Sequence, residues 1–296
     1  MVNLLSALDE LIASILKSAR YRSVCPETVR RIGERELAKG RGLKAAVKAT
    51  RSRLHQVFGA FGEAPDYGRL LRDLAAAAAS GSAEAVREAC RAALACHAST
   101  RERLPILDRF YAEVFAITGV PSRVLDLACG LHPLALPWMG LGAGDADRSD
   151  RSDWSDRSDR AYRAYDIDGR AVEFLGRCAA LIDPALEAIH ADILCSPPTE
   201  EADVAFLLKT LPCLERQEKG GGRRVLDAIR ARHIVVSFPV ASLGGREKGM
   251  RANYEKTFLE MFAGGPWQVE RLEFPTELVF VVRREDVTAN RANLRE

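Results

Sequence analysis

Five short strand-like runs, SRVLDLACG, RAYRAYDID, LEAIHADIL, ADVAFLLKT and HIVVSFP, fall between residues 122 and 239, with helical patterns at 169–180 and 223–232 among them. This alternation constrains the fold more than any other feature, because parallel neighbours need helical crossovers that cover both faces of their sheet. The expectation is an α/β protein. After a helix near 251–262, the runs WQVERLEF and ELVFVVRR flank Pro275 and Thr276 and read as two further strands joined by a tight turn. The first hundred residues follow another rule: Leu4, Leu5, Leu8, Leu11, Ile12, Ile15 and Leu16 recur at helical spacing, and the pattern returns at 27–38, 43–58, 68–79 and 83–96. A helix is also expected over Thr100–Ile117, since Ser99 and Glu102 match a capping box and Gly119 with Pro121 ends the run. Two domains result: a helical one over 1–100 and the sheet-bearing one over 101–296. Residues 142–160 repeat an Arg-Ser-Asp unit without hydrophobic period and are expected to form a mobile surface loop between the first helix and second strand of the sheet.

The net charge of +2 hides an asymmetry. Residues 1–60 carry twelve Lys or Arg against five acids, a net +7, and the remainder is −5. A basic end on an acidic body is the pattern of a polyanion-binding appendage, although a solvated helical face looks the same on charge alone. With 47% hydrophobic residues the chain is no disordered polymer, and no stretch approaches the roughly 18 to 20 apolar residues of a membrane span. Asp9 and Glu10 interrupt the N-terminal apolar segment where a signal peptide would carry no charge, so the expected location is the cytoplasm. Seven cysteines (Cys25, Cys90, Cys96, Cys129, Cys178, Cys195, Cys213) include no C-x-x-C pair and have no histidine or acidic cluster at zinc spacing. They read as small hydrophobes in a reducing compartment, with no metal expected.

Ligands of a doubly wound sheet bind beyond the carboxyl ends of its strands. Those ends are polar here: Asp126 to Gly130 after the first strand, Asp166-Ile-Asp168 after the second, Asp192-Ile193 after the third, and Lys209 after the fourth. An acid after the second strand can accept both ribose hydroxyls, and one after the third can accept from an adenine amino group. No G-x-G-x-x-G cradle for a pyrophosphate is present, which points to a nucleoside cofactor without phosphates, S-adenosylmethionine. Asp168, directly before Gly169, reads first as a helix cap.

LHQVFGAF (54–61), HASTRERL (97–104), VLDLACGLHPLALPWMG (124–140), YDID (165–168), ADIL (191–194), LLKTLPCLERQ (207–217) and SFPVASLGGREKGM (237–250) together resemble a known family. It is that of the aminoglycoside-resistance 16S ribosomal RNA methyltransferases, which modify guanine N7 in the decoding A site. The resemblance spans most of the chain from about residue 50 onward, and the 207–217 and 237–250 strings are its most specific parts. It implies a seven-stranded, Rossmann-like class I methyltransferase sheet whose last strand is antiparallel, and a helical N-terminal domain that binds the small ribosomal subunit. Carried over by position, it implies that Asp126, Ala128 and Gly130 form the cofactor loop, Asp166 holds the ribose, and Asp192 with Ile193 faces the adenine. His97, Ala98, Ser99 and Arg103 would line the methionine end, Leu208 and Gln217 would close the pocket, and Phe61 would touch the cofactor. The start of the helix near Thr100 would offer its dipole to the methionine carboxylate. Lys209 and Glu215 are candidates for orienting the target or bracing the site. Arg30, Arg31, Lys44, Lys48, Arg246 and Lys248 are candidates for RNA phosphates. His132 stands where the family has Asn, and the Arg-Ser-Asp run resembles an insertion.

Guanine N7 bears an in-plane lone pair and no proton, so methyl transfer needs no general base, and in-line alignment should supply the rate. A monomer is expected. Two rivals stay open: adenine N1 of the same RNA region as target, and a non-catalytic ribosome-binding protein with a vestigial nucleoside pocket.

Overall fold

In the computed structural model, which describes residues 2–57, 65–141, 160–240 and 250–284, seven strands form one sheet. They are β1 (Arg123–Leu127), β2 (Ala161–Asp166), β3 (Leu186–His190), β4 (Glu201–Leu208), β5 (Arg230–Pro239), β6 (Trp267–Glu273) and β7 (Glu277–Arg284), in the order β3-β2-β1-β4-β5-β7-β6. The first five are parallel, and β7 lies antiparallel between β5 and β6. Strands β4, β5 and β7 are buried on both faces, which explains apolar runs such as VAFLL and IVVSF. The edge strands β3 and β6 carry exposed Glu187, Glu270 and Arg271, charges that discourage edge pairing.

Ahead of the sheet come α1 (Val2–Leu16), α2 (Pro26–Leu37) and α3 (Leu43–Val57), which enclose a core of their own around Leu11, Ile15, Val29, Ile32 and Leu54. Helices α1 and α2 pack closely: a Cβ on Gly33 would stand 2.6 Å from the Leu11 side chain. Next are α4 (Tyr67–Ala79) and α5 (Ala83–Leu94), but Leu74, Cys90 and Leu94 pack into the same cluster as Val124, Phe206 and Val281 of the sheet. The division of hydrophobic cores therefore falls after α3, earlier than the boundary expected at residue 100. Amphipathic helices advertise an apolar face without saying which body it will meet.

The single helix expected over Thr100–Ile117 is instead α6 (Ala98–Arg101), a 3-10 turn at Leu104–Ile106, and α7 (Leu107–Thr118). Pro105 has no N–H to donate and its ring crowds the preceding turn, so a continuous helix cannot pass through it. The capping box fails with it: the Ser99 hydroxyl lies 2.9 Å from His97 Nδ1 and caps nothing. Beyond β1 a short α8 (Leu136–Met139) and then α9 (Gly169–Ile182) pack on the α7 side, and α10 (Leu211–Gln217), α11 (Gly221–Ala228) and α12 (Met250–Phe262) cover the opposite face. The Arg-Ser-Asp run lies outside the described residues except for Arg160, which pairs with Asp183.

The α1–α3 body is fastened along the carboxyl edge of the parallel strands. The Cys25 N–H donates to the Ile167 carbonyl at 2.9 Å, and the Gly169 N–H donates to the Ser23 carbonyl at 2.7 Å. A Cβ at Gly169 would sit 3.1 Å from that Ser23 oxygen, so the approach depends on the glycine. Farther along, Arg35 pairs with Glu218, whose carboxyl is held down to about 2, chiefly by a hydrogen bond from Arg224 and with Arg35 adding to it.

At the same edge, Glu277 opens β7 with no exposed surface, 2.8 Å from Arg103 and 3.3 Å from Lys209. Burial alone would raise its pKa, but the two cations outweigh that and hold it below the usual carboxylate range. Removing one member of such a pair strands the others in a dry site. Glu277→Leu is therefore expected to lower unfolding free energy by about 3 to 5 kcal/mol, read from urea denaturation; a loss under about 1 kcal/mol would show that the cluster is not holding this edge together.

Candidate active site

A cleft opens over the carboxyl ends of β1 to β4, the place where a doubly wound sheet binds ligands. Its floor is the loop after β1, where Ala128 and Gly130 have φ of 53° and 55°. A Cβ at Gly130 would stand 3.3 Å from the His97 ring, so the bare backbone leaves room for a ligand to lie close. His97 closes that side as a neutral imidazole, its pKa lowered by burial and then by Arg101. Asp166 stands at the tip of β2: Oδ2 accepts the Gly130 N–H and Oδ1 the Asp168 N–H, each at 2.8 Å. These bonds fix the carboxylate while each oxygen keeps a lone pair, and the group lines the cleft. Burial raises its pKa in spite of the two N–H donors. Asp168 caps α9 through the Arg170 N–H, as the sequence implied, and also lines the cleft. At the β3 tip, Asp192 is 4% exposed and accepts from Thr28, Arg31 and the Leu194 N–H.

Of the residues singled out from sequence, the cleft brings together His97, Ser99, Ala128, Gly130, Asp166, Asp192, Ile193, Leu208, Lys209 and Gln217. Others stand elsewhere. Asp126 is turned into the core, where it accepts from His132 Nδ1 and the Tyr162 hydroxyl, each at 2.8 Å; His132 Nε2 is 2.8 Å from the Tyr111 hydroxyl. The strand pleat decides this, because Asp126 shares a face with the buried Val124. Arg103 is 1% exposed, bound to Glu277, and does not reach the cleft; Ala98 lies behind His97 and Ser99 in the four-residue α6, too short for the helix-end role expected of it. Glu215 accepts the Gly220 and Gly222 N–H groups, bracing the turn between α10 and α11 rather than facing the cleft. Lys209 lines the cleft with φ of 59°, its ammonium on the Ser99 carbonyl, Glu102 and Glu277. Arg31, expected on phosphate, is turned inward onto Asp192 and Gln217; Arg30, Lys44 and Lys48 are exposed. Phe61, Arg246 and Lys248 lie outside the described residues.

Tyr67, Arg170 and Cys213 also stand in the cleft wall, though no motif pointed to them. Tyr67 stacks on Phe174 at 4.8 Å and its apolar helix face conceals any second use; burial raises its pKa. Arg170 could have been found, since an arginine in the first turn after a strand-two acid sits at the ligand edge by topology.

An acid-lined cleft at the tips of a seven-stranded sheet, with a bare glycine floor and no phosphate cradle, defines a Rossmann-like methyltransferase. The chain belongs to the ribosomal RNA methyltransferase (FmrO) family, which it matches over residues 17–281. A relative from Micromonospora rosea, named 16S rRNA (guanine(1405)-N(7))-methyltransferase, is 42% identical over 280 residues, covering 94% of this chain and 97% of its own. One of the same name from Serratia marcescens is 37% identical over 94% of this chain and 98% of its own. The solved 16S rRNA methyltransferase RmtF, in complex with S-adenosyl-L-homocysteine, superposes with a TM-score of 0.74 at 36% identity, over 95% of this chain and 98% of its own. The 16S rRNA methylase RmtB gives 0.71 at 29% identity, over 94% and 98%.

The acceptors present suit an adenosyl group: fixed carboxylates able to accept from ribose hydroxyls and a base amino group, and a floor of bare backbone. Asp166→Ala is expected to weaken S-adenosylhomocysteine binding about tenfold or more, the equivalent of one or two hydrogen bonds to a charged acceptor, with the circular dichroism spectrum retained. Calorimetric titration reads the affinity, and an unchanged value would remove Asp166 from the ribose site.

Proposed function

We propose that this protein transfers the methyl group of S-adenosylmethionine to N7 of a guanine in the decoding A site of 16S rRNA, within the small ribosomal subunit, and thereby confers aminoglycoside resistance. The observation that carries the reading is the juxtaposition of two clefts. Gln217 lines the nucleoside cleft on one side and, on the other, a groove between α2, α3 and α10 lined by Arg35, Lys39, Arg53 and Arg216, with Glu36 the one acid among the described lining residues. Arg53 and Arg216 have no carboxylate partner among the described residues, which leaves them for phosphate. A strand held in that groove would bring a base to the edge of the cofactor site. Arg30, Lys44 and Lys48 extend the basic surface on the same body, and Arg246 with Lys248 remain candidates for phosphate from their motif.

The bound cofactor supplies an electrophilic sulfonium methyl, which the N7 lone pair takes as the carbon–sulfur bond breaks and its electrons stay on sulfur. No proton moves, so the chain needs no acid or base. Its residues orient: Asp166 holds the ribose, His97 and Ser99 wall the methyl end, and Lys209 ties the β4 tip to α6 and β7 so that the opening keeps its shape. A base taken from folded RNA loses stacking worth a few kcal/mol, which contacts to the surrounding phosphates must offset. The reading includes a monomer at work in the cytoplasm, where small subunits are found. Among the described residues the exposed large apolar side chains, Leu5, Val120 and Leu259, are scattered, and no helix is long and apolar enough to cross a membrane.

Purified protein with S-adenosylmethionine and small subunits should label 16S rRNA, and borohydride-aniline treatment should then cleave the strand at the modified guanine. A reverse-transcription stop without that cleavage would move the target to adenine N1, and no label in a protein that binds the cofactor would refute catalysis. Neutralising Arg30, Lys44 and Lys48 together should make the slope of log affinity for the subunit against log salt shallower by about 2 to 3. An unaltered slope would leave those side chains in solvent.

A further inference from the structure

Arg31 belongs to the basic amino-terminal end, yet its side chain is nine-tenths buried, 10% exposed, and reaches two residues of the cofactor cleft. Its Nε and Nη2 donate to Asp192 Oδ2 at 3.1 and 2.8 Å, and the same Nη2 donates to Gln217 Oε1 at 2.7 Å. Thr28, one turn earlier on α2, donates to the same Asp192 oxygen at 2.8 Å. Oδ2 is thereby filled. Asp192 Oδ1 accepts the Leu194 N–H, which occupies one of its two acceptor positions, and the carboxylate lines the cleft. Gln217 is constrained in the opposite sense: with its oxygen drawn to Arg31, its amide is held with the NH2 turned away from the guanidinium, as a donor. Because both bond to one guanidinium nitrogen, the two side chains are neighbours.

We propose that Arg31 is a positioning residue for base recognition, setting Asp192 as an acceptor and Gln217 as a donor side by side so that the cleft reads the amino group and adjacent ring nitrogen of adenine. That edge presents a donor next to an acceptor, the complement of the pair Arg31 holds. A 6-oxopurine presents the reverse, an acceptor next to an N–H, and meets like groups at both positions. Without the guanidinium, the Gln217 amide is free to flip and Asp192 is left buried with the Thr28 hydroxyl and the Cys195 thiol as side-chain partners. The inference rests on the adenosyl-cofactor reading. It also makes a charged residue of the amino-terminal body part of the cofactor site, to whose wall that body otherwise contributes Val57.

The test is calorimetric titration of the full-length protein with S-adenosylhomocysteine and with S-inosylhomocysteine, which carries a 6-oxopurine. The wild type should prefer the adenosyl ligand by at least about tenfold, the worth of a hydrogen bond to a charged group. Arg31→Ala should weaken adenosyl binding by a similar factor and bring the preference close to unity, with inosyl binding little changed. Arg31→Lys keeps a cation opposite Asp192 but lacks the fork that reaches both partners, so it should retain the thermal stability of the wild type while losing most of the preference. That second variant carries the test should the alanine form fail to fold. Equal weakening of both ligands would reduce Arg31 to a structural brace, and an unchanged preference in Arg31→Lys would overturn the proposal. Failure of the wild type to bind either ligand would instead strike at the methyltransferase reading itself.

Discussion

Glu277 is sealed where β7 begins, and Arg103 and Lys209 approach it from parts of the chain far apart in sequence. A buried carboxylate cannot remain ionised without such company, because the desolvation cost of each charge is several kcal/mol. The three groups therefore have to assemble together, and their assembly joins β7, the β4 tip and the segment ahead of α7. Lys209 reaches its partners only from a left-handed backbone, a conformation costly for a residue with a side chain and held here by N–H bonds to the Ser237 carbonyl and hydroxyl. The Ser99 carbonyl and Glu102 complete the ring of contacts, which fixes α6 and hence His97 beside the cleft.

A second buried carboxylate does the same for the other end. Asp192 draws Arg31 and Thr28 of α2 onto the β3 tip, and Ser23 and Cys25 bond to Gly169 and Ile167 at the β2 tip. The cofactor cleft lies between these two charge clusters. Its acids are fixed by donors from behind, so a ligand meets acceptors already oriented and loses little to their rearrangement.

Most of the sheet could be read from sequence because β4, β5 and β7 are covered on both sides and must be apolar throughout, while the polar residues that interrupt them fall at strand tips. The same tips made Asp166 and Asp192 legible. Asp126 was misread because a motif names a residue without its pleat: one position along β1 separates the face under the helices from the edge of the cleft. The helix over 100–117 was overextended by giving a capping pattern more weight than Pro105. Arg31 was hidden for a different reason. A charge count sums cations without direction, and only the stripe of Thr28, Arg31 and Arg35 along one face of α2, three and four residues apart, hinted that this side meets polar partners within the molecule. The core boundary after α3 left no mark in the sequence, because α4 and α5 have the same period whichever surface they cover.

The fastening of residues 23–35 to the strand tips has a bearing on how such a protein is made and how it can change. Helices α1–α3 leave the ribosome long before the strands they must close upon, so the Asp192 end of the cleft is finished only when these helices and the later segments meet. For the same reason the basic front cannot be exchanged as an interchangeable module. A lineage that replaced it would also have to rebuild one wall of its own cleft.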